Sequence, residues 1–132
     1  TSTGQTVTRV DATHFNFANT GIRRKFTTPK GVVALDVTTS TSAPISVTGV
    51  NRNTRTMTGG GITILNNLTS VSCTLTPTAV SWGATCNCPT AGTWAGTCTD
   101  STSMSVAFSS TCGQATVTKG TETSTVTMDR CE

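Results

Sequence analysis

One histidine, six carboxylates and six cysteines are what this chain of 132 residues has to do chemistry with. Asp11 and His14 stand close enough in sequence to form the base and orienting acid of a hydrolytic triad, with any of the many serines as nucleophile. No serine sits in the sharp strand-to-helix turn that holds such a nucleophile exposed. Asp36, Asp100, Glu122, Asp129 and Glu132 are scattered and form no matched pair for general acid and base work. Neither catalysis nor a cofactor is expected.

The cysteines read differently. Cys73, Cys86, Cys88, Cys98, Cys112 and Cys131 all fall in the C-terminal half, four of them in the stretch from Ser70 to Asp100 that also holds Trp82 and Trp94. An even count at irregular spacing points to three disulfides formed in an oxidising, extracellular compartment. Cys86 and Cys88 flank one residue, point to the same side of an extended segment, and so should take different partners. Zinc would want wider cysteine spacing and matching histidines, and the lone His14 is far away. A metal is therefore not expected.

These residues must be positioned by strands. The chain has 33 threonines and 13 serines, 11% charged residues and no tyrosine. Threonine is β-branched and favours extended backbone, and hardly any stretch has the composition of a helix. Alternating apolar residues argue against a disordered stalk. The expectation is one all-β domain over 1–132, an antiparallel sandwich or small barrel of about ten to twelve short strands with its C-terminal half stapled by disulfides.

Taken in order, residues 1–11 carry Val7 and Val10 in an otherwise polar segment that reads as an edge strand able to exchange between copies. Phe15 and Phe17, then Ile22, Arg24 and Phe26, read as a hairpin about Asn19-Thr20-Gly21. Val33, Leu35 and Val37 suggest a central strand with those three side chains in the core. Residues 51–58 extend the strand begun by Ile45 and Val47 as a threonine ladder, and Gly59-Gly60-Gly61 breaks it. Val71, Cys73 and Leu75 alternate toward a core, with Val80 and Trp82 on a return strand. Residues 83–101 read as a disulfide-stapled loop. Met104, Val106 and Phe108 alternate with Ser103, Ser105 and Ser109 and predict a strand with the apolar three inside.

Several binding chemistries have candidate residues. Trp82 and Trp94 could stack on a sugar ring, although without tyrosine to extend the platform Trp82 reads as core and Trp94 as packing on the disulfides. Thr-x-Thr pairs, spaced about 6.7 Å along a strand, could order water or bind ice if several lay in register, but their irregular intervals oppose this and also oppose a solenoid. Asn67-Leu68-Thr69 is an N-glycosylation sequon. Arg23, Arg24 and Lys25 form a basic patch with no interleaved aromatics, so nucleic acid is not an expected partner.

Charge is more informative. Residues 1–72 hold seven bases against Asp11 and Asp36, for +5, and residues 73–132 hold Lys119 and Arg130 against four acids, for −2. That split suits head-to-tail contact between copies. No apolar run is long enough to span a membrane. The threonine-rich strands and a candidate loop from Cys112 to Cys131, closing on the last residues DRCE, resemble the β-rich head of pilin-type filament subunits. The long apolar N-terminal helix of type IV pilins has no counterpart in these residues. The resemblance implies an extracellular filament or fimbrial subunit whose partners are copies of itself or related subunits. A secreted carbohydrate-binding or adhesion module is the alternative, with surface glycans as partner.

Overall fold

Threonine, valine and isoleucine at alternate positions form strands throughout the structure, a computed structural model that describes residues 4–131. Twelve strands share one antiparallel sheet. They are β1 (Gln5–Arg9), β2 (His14–Asn19), β3 (Ile22–Thr27), β4 (Val33–Ala43), β5 (Ile45–Thr48), β6 (Thr56–Thr58), β7 (Gly61–Asn66), β8 (Ser72–Trp82), β9 (Pro89–Cys98), β10 (Ser103–Phe108), β11 (Gln114–Lys119) and β12 (Glu122–Thr127). A short 3-10 turn, Arg52–Thr54, lies between β5 and β6.

The sheet forks at β8, which pairs with β7 through Cys73 and Leu75 and with β6 through Val80 and Ser81. The fork has a simple origin. β3 pairs with β4 while β2 pairs with β5; β4 pairs with β7 while β5 pairs with β6. Each of β2 with β3, β4 with β5, and β6 with β7 is thus one long strand bent in the middle, and merging the three pairs reduces twelve strands to nine. Each of the nine hydrogen-bonds its neighbours in sequence, which makes the fold an up-and-down meander with a crease across its first half.

The crease is written in backbone chemistry. Pro44, with no N–H to give, separates β4 from β5, and Gly59 and Gly60 at φ 74° and 77° separate β6 from β7. β8 keeps its ladder but bulges, with Ala79 at φ 50°, and the adjoining Gly92 of β9 sits at φ 90°. A Cβ at Gly92 would lie 2.4 Å from the Ala79 carbonyl oxygen. Thr41 Oγ1 spans the bend between the first two long strands, accepting from the Asn19 N–H and donating to the Asn19 carbonyl, both at 3.1 Å.

Several expectations are corrected here. Asn19-Thr20-Gly21 is a bend within one strand, because β2 and β3 do not pair with each other. Residues 51–58 do not prolong β5; they turn and return as β6 against it. Most of the 83–101 segment is strand: β9 lies between β8 and β10, and only its flanks are loop. Its alternation was hidden because close approach selects small residues; a Cβ at Gly96 would lie 1.7 Å from the Thr74 carbonyl oxygen.

Packing is thin. Leu75 and Val80 are the largest fully buried side chains, and Cys73, Leu75 and Cys98 form a cluster on which Ile62, Ile64, Val71, Trp94 and Met104 pack. Val33, Val37, Val106 and Phe108 are half-buried. Leu35 is 47% exposed, against expectation, while Asp36 beside it is only 5% exposed. Period two sets Leu35 and its cross-strand partner Phe26 on one open face, while Asp36 points to the other, where Arg23 and Asn67 close over its carboxylate. The whole chain exposes 7941 Å², where a compact monomer of 13.6 kDa would expose about 6,600 Å².

The crease supplies a paired test. Gly92→Ala puts a side chain on a left-handed backbone and into the Ala79 carbonyl, and should cost at least about 1–2 kcal/mol in denaturant titration. Ala79→Gly removes the same backbone penalty from the neighbouring strand and should be neutral or stabilising. Equal losses from the two would mean that the crease is not held by backbone conformation.

Candidate functional site

Below the crease, cross-strand pairs set apolar residues on one face of the small β1–β2–β5–β6 half. Val7 pairs with Phe17, Phe15 with Val47, and Val47 with Met57. With Gly49, Val50, Arg55 and Trp82 they line an open groove of about 380 Å³. The Arg55 guanidinium lies 6.0 Å from the centre of the Trp82 ring. Val7, Val10 and Val50 are all more than half exposed. Val10 lies just beyond the end of β1, and the first three residues of the 1–11 segment lie outside the described residues.

The two tryptophans do not form a platform. Trp82 lines this groove and does not fill the core as expected, whereas Trp94 pairs with Pro77 and Val106 and packs on the Cys73–Cys98 cluster. Nothing in the spacing of Trp82 could have announced the groove, because the β8 bulge shifts the register of the strand between Leu75 and Trp82.

The three disulfides are Cys73–Cys98, Cys86–Cys112 and Cys88–Cys131. Cys86 and Cys88 take different partners, as their spacing requires. The expected Cys112–Cys131 loop does not exist: both residues are drawn instead to the loop between β8 and β9. Those two bonds, with the Asn87 N–H donated to the Cys131 carbonyl at 2.7 Å, tie that loop to the β10–β11 turn and to the C-terminal residues. Three disulfides are compatible with an oxidising, extracellular environment. Among the described residues no group of three metal-binding side chains occurs, and no helix is long and apolar enough to cross a membrane.

The basic triplet lies on β3. Arg23 is spent on Asp36, to which its Nε and a terminal nitrogen donate at 2.7 and 2.5 Å, while Arg24 and Lys25 are exposed. Asn67 Nδ2 donates to Asp36 Oδ1 at 3.0 Å and to Thr38 Oγ1 at 2.9 Å. Both N–H bonds of the sequon amide are therefore used inside the fold, and none is left to carry a glycan without breaking this network. Asp11 and His14 do meet, at 2.9 Å, but Asp11 Oδ1 also accepts from the backbone N–H of Thr13 and His14 and so closes an exposed turn.

Strand register also gathers the threonines. Thr63, Thr74, Thr97 and Ser103 form one row across the sheet; Thr76, Ala95, Ser105, Thr118 and Thr123 form the next; Thr78, Thr93, Ala107, Thr116 and Thr125 form a third. The intervals are irregular in sequence only because the turns between strands differ in length. The opposite face of the same strands carries Ile62, Leu75, Trp94, Met104, Val106 and Phe108. A sheet twists by roughly 20–25° per strand, so across these strands the hydroxyl rows fan out and do not lie in a plane.

No protein-family model, curated protein or solved structure matches the chain.

Two measurements probe these arrangements. Cys88–Cys131 closes the longest loop, 43 residues, and replacing both cysteines by serine should cost on the order of 4 kcal/mol by chain entropy, with near-native strands retained. Hydrogen bonds from Arg23 hold the Asp36 carboxyl below its ordinary range, with a further one from Asn67. A depressed folded value means that the stabilisation is present above about pH 3.9 and lost as pH falls through the lower folded value. Asp36→Asn should be less stable than the parent at pH 7 and lose less stability between pH 5 and pH 2; parallel pH curves would show that this pair contributes nothing.

Proposed function

We propose that this chain is a non-enzymatic structural subunit of the cell exterior whose copies join edge to edge, as in a fimbrial or pilus-type filament. The observation that carries the reading is that the meander is unclosed and its two edges differ in charge. Among the described residues β1 pairs only with β2, β3 only with β4, and β12 only with β11. All residues of β1 and β12 are exposed. Each edge presents unpaired backbone donors and acceptors, which a strand of a neighbouring copy can satisfy.

A meander keeps sequence order in space, so the +5 and −2 halves lie on opposite sides of β8. Arg9 is on β1 and Arg24 and Lys25 on β3, whereas on the other edge Glu122 stands opposite Lys119 and Asp129 is followed by Arg130, so one edge is basic and the other close to neutral. An edge contact of this kind is heterologous, and it propagates unless rotation closes a ring. The surface exposed beyond that of a compact monomer, about 1,300 Å², is comparable with the roughly 800 Å² per partner that each of two standard contacts would cover. The likeness to pilin heads now rests on the threonine-rich strands alone, since the Cys112–Cys131 loop is absent. The carbohydrate-binding alternative rests on Trp82 alone, since Trp94 is elsewhere.

Sedimentation at low salt should show concentration-dependent growth beyond a dimer, and added salt should slow it. Ser124→Pro and Thr125→Pro each remove one N–H from β12, one of which faces outward, and that variant should stay folded but cease to grow. A chain beginning at Ala12 should likewise lose growth. Material from the native source that stays monomeric at high concentration and low salt would overturn the reading.

A further inference from the structure

We infer that the groove below the crease is a binding site for an anionic amphiphile, an apolar chain ending in a carboxylate or phosphate. Its volume of about 380 Å³ falls in the usual range for small-molecule sites, which are mostly apolar with a few placed polar groups. Phe15, Phe17, Val47 and Met57 supply the apolar walls, and no described side chain fills the space between them.

The charge is as specific as the shape. Arg55 lies over Trp82 at one wall, and the ion pairs formed among the described residues, His14 with Asp11, Arg23 with Asp36 and Lys119 with Asp100, leave it without a carboxylate. A guanidinium held over a ring face by cation–π attraction keeps its N–H edge free for a fork-shaped contact with an oxyanion. Arg9 adds to the field, since it pairs with Phe15 on the same face. Asp11, the acid nearest Arg9 in sequence, has Oδ1 on the Thr13 and His14 backbone and Oδ2 on the His14 ring. A neutral sugar would leave Arg55 unanswered, and a second copy of this chain would bring the basic tip of β3 or the hydroxyl rows, neither of which is an apolar chain with an anionic end.

The groove shares Val7 with the edge strand β1, but its charged wall, Arg55 over Trp82, lies away from both edges, so binding and edge growth are read by different variants. Titration of monomeric protein with dodecanoate, dodecyl phosphate and dodecanol below their micelle concentrations, followed through Trp82 fluorescence, separates the possibilities, with Trp82→Phe as the signal control. Saturable one-to-one binding of an anion, at least about tenfold tighter than the alcohol, is expected, and Arg55→Gln should erase that preference while the melting temperature holds. Dodecanoate against dodecyl phosphate tells a fatty acid from a phosphate head. Equal binding of alcohol and acids, no saturation, or binding only to anionic phospholipid vesicles would each overturn the site; loss of the preference in Arg55→Gln with retained edge growth would leave assembly untouched.

Discussion

Once the bent pairs are counted as single strands, each of the nine long strands takes its backbone hydrogen bonds from its neighbours in sequence, and most other properties of the molecule follow from that pairing. Contacts are local along the chain, so segments of like composition remain side by side in space. The basic first half and the acidic second half become two sides of one object, and the two ends of the chain become its two edges. A closed barrel would have joined those edges and cancelled the separation. Here β1 and β12 are left apart, at opposite ends of the strand order.

A single open sheet has little interior, and the structure compensates in two ways. In the first half the sheet creases where Pro44, the Gly59–Gly60 pair and the β8 bulge fall on successive strands, and Ile45 and Val80, next to these bends, are almost wholly buried. In the second half there is no crease, and covalent bonds hold instead. Cys73–Cys98 joins two paired strands, while Cys86–Cys112 and Cys88–Cys131 gather the loop and the C-terminal residues at the end of β9 to β11. All six cysteines are spent in this way, and with Leu75, Val80 and Ala115 they make up most of the buried apolar side chains. The stabilisation acts largely through the unfolded chain, whose freedom the long loops restrict, and so does not depend on a thick core.

How much was legible before the fold is a matter of which rule governed each segment. β10 could be read outright, because Met104, Val106 and Phe108 alternate with small polar residues and period two is the geometry of a strand. The class of the fold followed from composition in the same way. β9 could not be read, because close packing between two strands selects glycine, alanine and threonine on both faces and erases the alternation. The bend at Asn19-Thr20-Gly21 uses the residues of a hairpin turn, and only long-range pairing decides between the two. At Leu35 and Asp36 alternation was right and the inference from it wrong: period two sorts residues onto two faces, but Arg23 and Asn67, distant in sequence, decide which of the two is covered. The groove was the least legible feature, since it needs β1, β2, β5, β6 and the shifted end of β8 at once.

The hydroxyl face shows why threonine is so frequent. An open sheet must keep one broad face wet without lysine or glutamate, whose repeated charges would oppose one another directly across strands. Threonine meets both demands, since its branched Cβ favours the pleated backbone and its hydroxyl satisfies water, or a neighbour as in Thr118 with Thr123 at 3.2 Å. The same face resists edge-to-edge pairing less than a charged one would, because protective lysines are absent from β12. A composition that suits the wet face thus also leaves β12 without the lysines that would guard an edge.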